Sequence, residues 1–149
     1  MKKKFTSNLL RTGLYLAAAA LLVAVIYGCS SEPAPEPPET LTRFYEAFNS
    51  HDVEAMLELA HEDIRMYSVS GPRISTDIDG KDELRTWLTN YFAEYPEVRS
   101  EISGFGRHSN YTSLVETATW GDPDDPVSQS STVVYEVSDS LVVAAWYYY

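Results

Sequence analysis

Cysteine is almost missing from this chain of 149 residues: Cys29 is the only one, so no disulfide can form within it. Basic residues are nearly as scarce. Lys and Arg number 11 against 22 Asp and Glu, and four of those bases, Lys2, Lys3, Lys4 and Arg11, precede residue 12. Residues 12–149 hold 7 bases against 22 acids, a net −15. A surface of that sign does not neutralise a phosphate backbone, which excludes nucleic acid as a partner. The sequence contains no C-x-x-C, H-E-x-x-H, G-x-S-x-G or glycine-rich phosphate loop, so the usual metal, nucleophile and nucleotide chemistries have no motif to rest on. His51, His61 and His108 lack ligand-like spacing. No metal or cofactor is expected.

The longest apolar run, Leu14 to Ile26, is thirteen residues, against the roughly 20 a permanent transmembrane helix needs. With the basic start before it, it reads as the h-region of a signal peptide. Ile26-Tyr27-Gly28-Cys29 resembles a bacterial lipobox. The resemblance implies cleavage before Cys29 and lipidation of it. Several acyl chains give stable anchoring. By the sorting habit of such lipoproteins, the resemblance also implies that Ser30 behind the cysteine directs the chain to the outer membrane where the cell has one. Ser30 to Glu39 holds four of the eight prolines and no large apolar side chain, so it should act as an extended spacer. The expected division is a signal peptide over 1–28, a Pro/Glu-rich linker over 29–39 and one domain over 40–149. The acidic domain gains nothing from anionic headgroups, which leaves the lipid as the sole membrane contact.

What is plentiful is aromatic and apolar residues, 13% and 44% of the chain, ample for one core. Leu41, Phe44, Tyr45 and Phe48 fall at i, i+3, i+4 and i+7, a helical stripe. Asp52 suits an N-cap for a second short helix carrying Val53, Met56, Leu57 and Ala60. Ile64 to Val69 alternates as a strand, Gly71-Pro72 turns, and Ile74 to Ile78 makes a second strand. Asp79-Gly80 opens a third helix with Leu84, Trp87, Leu88, Tyr91, Phe92 and Tyr95 on its stripe, and Pro96 ends it. Four strands follow: 97–107, 111–120, 129–137 and 141–149. The last long joint is a loop, Gly121 to Pro126. Helices first and consecutive strands after predict an α+β fold, the helices lying on one face of a curved antiparallel sheet.

The stretches F-Y-E-A-F-N-S-H-D-V-E-A-M-L-E-L-A-H-E-D-I-R-M-Y, D-G-K-D-E-L-R-T-W-L-T-N-Y-F-A-E-Y-P and V-Y-E-V-S-D-S-L-V-V-A-A-W-Y-Y-Y resemble, in this order, the SnoaL-like branch of the nuclear-transport-factor-2-like superfamily, over Leu41 to Tyr149. That resemblance implies a cone-shaped fold, a bent sheet wrapped around a long helix with a pocket between them. It implies either binding modules or polyketide cyclases, isomerases and dehydratases, since fold and function come apart in this superfamily. The enzymes commonly place an Asp or His base and a Tyr or protonated acid in an apolar cone. The acid often found after the closing Trp is absent here, Tyr147 following Trp146.

Two catalytic candidates remain. His108, near a strand end, is a base or a solvated turn residue. Glu116, the most internal strand carboxylate, faces outward if Val115, Thr117 and Thr119 pack under the helices, and lines the pocket otherwise. Tyr45 or Tyr148 would be the oxyanion donor. Asp122, Asp124 and Asp125 read as a solvated hairpin loop, lacking an EF-hand's glycine and distant Glu. The expected pocket set is Tyr45, Phe48, Met66, Trp87, Tyr91, Tyr135, Trp146 and Tyr148; such stripes fill a core or surround an apolar ligand. Aromatics left facing outward would mark a dimer surface. The favoured function is a lipid-tethered, non-catalytic module that binds a small apolar molecule or a partner protein. The alternative is an enzyme of the cyclase, isomerase or dehydratase kind.

Overall fold

The computed structural model describes residues 36–149; the expected signal peptide, Cys29 and the expected linker up to residue 35 lie outside them. Helix α1 spans Glu39–Asn49. The carbonyl of Pro38 starts it by accepting from the backbone N–H groups of Leu41 and Thr42, and its stripe of Leu41, Phe44, Tyr45 and Phe48 is buried. The chain then reverses through His51, held at φ 55°. Helix α2, Val53–Glu58, begins at Asp52, whose Oδ1 accepts from the Ala55 N–H at 3.0 Å, the cap its sequence position predicted.

Strands β1 (Ala60–Ser70) and β2 (Arg73–Asp79) form a hairpin through Gly71, whose φ of 56° suits a residue without Cβ. Helix α3, Lys81–Glu94, follows Gly80. The Glu83 carboxylate reaches back to accept from the Asp79 N–H at 2.8 Å, satisfying a donor at the helix start. Tyr95, ahead of Pro96, caps its end.

The remaining chain runs β3 (Arg99–His108), β4 (Tyr111–Asp122), β5 (Asp125–Ser138) and β6 (Leu141–Tyr148). The hairpin between β4 and β5 is longer than expected: pairing continues through Gly121↔Pro126 to Asp122↔Asp125. The six-residue loop thereby contracts to Pro123-Asp124, closed by Asp122 Oδ1 accepting from the Asp124 N–H at 2.9 Å.

The sheet order is β2-β1-β6-β5-β4-β3, and the helices lie on one side of this curved, unclosed sheet. All neighbours are antiparallel except β1 and β6, which run parallel. That seam follows from connectivity. The β1–β2 hairpin adds to the open edge of the later four-stranded meander, so its partner strand is remote in sequence and free to run either way. The core between helices and sheet holds Leu41, Phe44, Met56, Ile64, Leu84, Leu88, Leu114 and Val133, all at most 3% exposed. Burying one such side chain contributes about 1.5–3 kcal/mol.

Candidate functional site

Register decides which strand residues meet the helices. Directly paired residues share a face of the sheet, so the pairs Thr112↔Tyr135, Leu114↔Val133, Glu116↔Ser131, Ala118↔Gln129 and Trp120↔Val127 form one inward row. Val115, Thr117 and Thr119 occupy the other face. Glu116 therefore points inward, in line with Leu114, Ala118 and Trp120.

The row leads from the core into a cavity of about 250 Å³. Its apolar walls come from Phe44 and Phe48 of α1, Met56 of α2, Met66 of β1, and Leu84, Trp87, Leu88 and Tyr91 of α3. Trp87 stacks on Tyr91 with centroids 4.7 Å apart and is 41% exposed. The polar groups are gathered on the sheet side: Glu116, Gln129, Ser131, Tyr135, Tyr147 and Tyr149, with Tyr45 from α1 and Asp77 from β2. Among the described residues lining the cavity there is no Lys, Arg or His.

One hydrogen-bonded chain links four of these polar groups, Glu116, Tyr45, Tyr135 and Tyr147, to Ser100 behind them. Ser100 Oγ donates to Glu116 Oε1 at 2.6 Å, and Tyr45 Oη donates to Glu116 Oε2 at 2.9 Å. The Tyr45 and Tyr135 hydroxyls lie 2.8 Å apart, those of Tyr135 and Tyr147 3.0 Å apart. Four secondary-structure elements supply them: α1, β3, β5 and β6, with Glu116 on β4 at the hub. The rings also pack edge to face, Tyr45 against Tyr135 at 6.1 Å and Tyr135 against Tyr147 at 6.4 Å.

Electrostatics follow from burial. Glu116 is 8% exposed; removal from water raises its carboxyl above the usual range, and the bonds from Ser100 and Tyr45 pull it part of the way back. Burial raises Tyr45, Tyr135 and Tyr147 well above an ordinary phenol, and each is raised further by charge on its neighbours, Glu116 among them. The phenols consequently stay neutral across the physiological range, and Glu116 is the member of the chain able to change charge.

Of the residues expected at the pocket, Tyr45, Phe48, Met66, Trp87, Tyr91 and Tyr135 line the cavity. Trp146 and Tyr148 do not. The pairing Tyr135↔Ala145 and Val133↔Tyr147 places Ala145 and Tyr147 on the inner face, and a shift of one residue exchanges faces. Trp146 instead pairs with Val134 and stacks on Tyr67 with centroids 5.5 Å apart. Tyr148 is 44% exposed. Tyr147 and Tyr149 take the inward places that Trp146 and Tyr148 were expected to fill.

His108 is also displaced from its expected role. It ends β3, opposite Tyr111, exposed at the hairpin and outside the cavity, so the base candidate is left to Glu116. His51 stacks on Phe92 at 4.3 Å with Nε2 3.0 Å from the Val98 carbonyl oxygen, a brace between the helical turn and the start of β3. Ser100 is a site residue that no sequence pattern marked. Its signal was weak, a small polar residue next to a charged strand start, and its burial at 3% comes from pairing with Ala118 beside Glu116.

A buried carboxyl and three linked phenols thus stand at the wall of an otherwise apolar cavity. The chain belongs to the SnoaL-like domain family, whose model matches residues 41–145. Among solved structures it is similar to a cystatin-fold protein from Novosphingobium aromaticivorans, at 21% identity, TM-score 0.62, covering 73% of this chain and 94% of that one. It is similar to a ketosteroid-isomerase-like protein from Catenulispora acidiphila in complex with trimethylamine, at 17% identity, TM-score 0.62, covering 76% and 87%. It also resembles IdmH of Streptomyces antibioticus, provisionally named a polyketide cyclase, at 17% identity, TM-score 0.63, covering 76% and 91%. At these identities the likeness is one of fold. No curated protein matches the sequence.

Proposed function

We propose that the domain takes up a small, mostly apolar molecule with a hydrogen-bonding tip, and that lipid on Cys29 holds it at a membrane. The observation that carries the ligand reading is the cavity itself: apolar helix side chains on one side and a grouped set of hydroxyls and a carboxyl on the other. Such sites orient a ligand by a few polar groups while burial supplies affinity. A volume of about 250 Å³ suits a compact one- or two-ring molecule. With Glu116 and Asp77 on the wall and no base beside them, the ligand is uncharged or cationic, because an anion would enter without a counter-charge.

Native purification followed by solvent extraction and mass spectrometry tests this reading. A stoichiometric small apolar compound, lost when Trp87 and Tyr91 are replaced by Ala, is the expected result; a protein that neither carries nor takes up any small aromatic compound overturns it. The tether is tested separately. Cys29→Ser should move the protein from the membrane pellet to the soluble fraction, and retention in the pellet defeats the lipid anchor.

One observation favours a second reading. Glu116 is a carboxyl of raised pKa at a cavity wall, the environment that prepares an acid or base for neutral pH. On that reading the domain is an enzyme of the cyclase, isomerase or dehydratase kind. Incubating the extracted compound with fresh protein separates the two: recovery unchanged supports binding, and conversion that stops in Glu116→Gln supports catalysis.

A further inference from the structure

The hydrogen-bonded chain from Ser100 to Tyr147 has a direction, and proton counting fixes it. A carboxylate has no proton, so with Glu116 ionised both its neighbours donate to it. Tyr45 owns one proton and spends it on Oε2. Its 2.8 Å contact with Tyr135 then needs the Tyr135 proton, and the 3.0 Å contact of Tyr135 with Tyr147 needs that of Tyr147. Tyr147, the last phenol of the chain, is left with lone pairs alone.

Protonation of Glu116 reverses the sequence. The proton belongs on Oε2, because Ser100 Oγ, 3% exposed, has Oε1 as its one hydrogen-bond acceptor among the described residues. A proton on Oε1 would strand that hydroxyl in a buried place, at a cost of about 1–3 kcal/mol. Oε2 then donates to Tyr45, Tyr45 to Tyr135 and Tyr135 to Tyr147. The Tyr147 O–H is released from its neighbour and becomes a donor. Because neighbouring hydrogen bonds polarise one another, such a chain turns as a unit.

We propose that Glu116 sets the hydrogen-bonding polarity that Tyr147 presents to the cavity, so that the site takes carbonyl-type acceptors when Glu116 is protonated and hydroxyl- or amine-type donors when it is ionised. The proposal deepens the ligand-binding reading above and rests on it for its ligand. Glu116, itself on the cavity wall, acts here through the chain as a positioning residue, with Tyr147 the third phenol along from it. The other titratable groups lining the cavity are Tyr45 on α1, Tyr91 on α3, Asp77 on β2, Tyr135 on β5, and Tyr147 and Tyr149 on β6. Within the chain the phenols stay neutral and Glu116 is the group that changes charge; Asp77, held by the hydroxyls of Ser68 and Ser75, is not a member of the chain.

Glu116→Gln tests this without emptying the site. Its Oε1 still accepts from Ser100 and its Nε2 donates to Tyr45, which locks the chain in the polarity of the protonated acid. The probes are 2-acetylnaphthalene, an acceptor with no titrating group, and naphthalene, its hydrocarbon control. In the wild-type protein, affinity for the ketone should fall about 3- to 10-fold as pH rises through the Glu116 titration, the worth of one hydrogen bond, while naphthalene binds equally throughout. Glu116→Gln should hold the ketone at its low-pH affinity at every pH, and Tyr147→Phe should bind it weakly and without pH dependence. A ketone profile that survives in Glu116→Gln or in Tyr147→Phe overturns the proposal.

Tyrosine 13Cζ resonances of the ligand-free protein read the chain independently. Those of Tyr45, Tyr135 and Tyr147 should shift with one common midpoint in the wild type and stay at their acid-limit positions in Glu116→Gln. If the Tyr147 resonance does not follow, the reversal is refuted whatever the probes do. If the resonances follow but neither probe binds, the ligand reading and the selectivity fall together while the chain reversal stands.

Discussion

Strands β4 and β5 form one unbroken ladder, Tyr111↔Glu136 to Asp122↔Asp125, and its two ends serve different purposes. At the end next to the β3–β4 and β5–β6 turns, Thr112, Tyr135, Leu114 and Val133 are at most 2% exposed, and of these four Tyr135 alone also lines the cavity. At the other end Ala118, Gln129 and Trp120 line the cavity, and Val127 is 51% exposed. Backbone pairing is the same along the whole length, so the difference comes from what the helices cover. A fold can therefore keep its stability in one half of a hairpin and leave the other half open for a ligand. Glu116, paired with Ser131, sits on the border between them.

The largest effect should come from the covered half. Leu114→Ala leaves a void where the structure cannot collapse easily and should cost about 2–5 kcal/mol. Trp120→Ala, six residues along the same strand and face, should cost about 1 kcal/mol, as expected for a half-buried side chain with an open cavity on one side. Its main consequence should be on ligand uptake. Denaturant titration of both variants checks the contrast, and equal losses would mean that the two halves are not distinct.

The border residue should show in the pH dependence of stability. The pKa of Glu116 is raised in the folded state, so between its unfolded and folded values the native protein holds more proton than the unfolded chain. Its contribution to stability is then greatest below the unfolded pKa and declines as pH rises through the folded one. Glu116→Gln has no such titration. It should flatten that part of the stability curve and exceed the wild type in stability above the folded pKa, measured by thermal unfolding across pH 4 to 9. A wild-type curve that rises with pH and is unchanged by the substitution would put the carboxyl in water rather than at a buried border.

The core end of this comparison was legible in the sequence, and the cavity end only in part. The helices were readable because Leu41, Phe44, Tyr45 and Phe48, and later Leu84, Leu88 and Phe92, repeat at helical spacing. The inward face of β4 stayed open: Leu114, Ala118 and Trp120 share the parity of Glu116, but Val115, Thr117 and Thr119 on the other face are β-branched and equally suited to packing, so the pairing register decided between them. The closing strand was not readable either, because Trp146, Tyr147, Tyr148 and Tyr149 are aromatic on both faces and alternation carries no signal there. Its register depends on the irregularity between Glu136 and Val137, which no local pattern reports. The hydroxyl chain escaped for a similar reason, since its members come from five separate elements and only the fold brings them within 3.0 Å.

The smallest effect should lie on the outer face of the same ladder. There Thr117 bonds Ser130 at 2.8 Å and Thr119 bonds Ser128 at 2.9 Å, hydroxyl to hydroxyl, in exposed positions. Water replaces either partner at little cost, so an exposed pair of this kind adds only a fraction of a kcal/mol. Thr119→Val keeps the β-branched shape that suits a strand and removes the hydroxyl. It should change stability by less than about 0.5 kcal/mol and leave ligand uptake unaltered, although residue 119 is the immediate neighbour of both Ala118 and Trp120. A loss of ligand uptake in Thr119→Val would show that the two faces of β4 are coupled through the strand, and would erase the distinction drawn from its alternation.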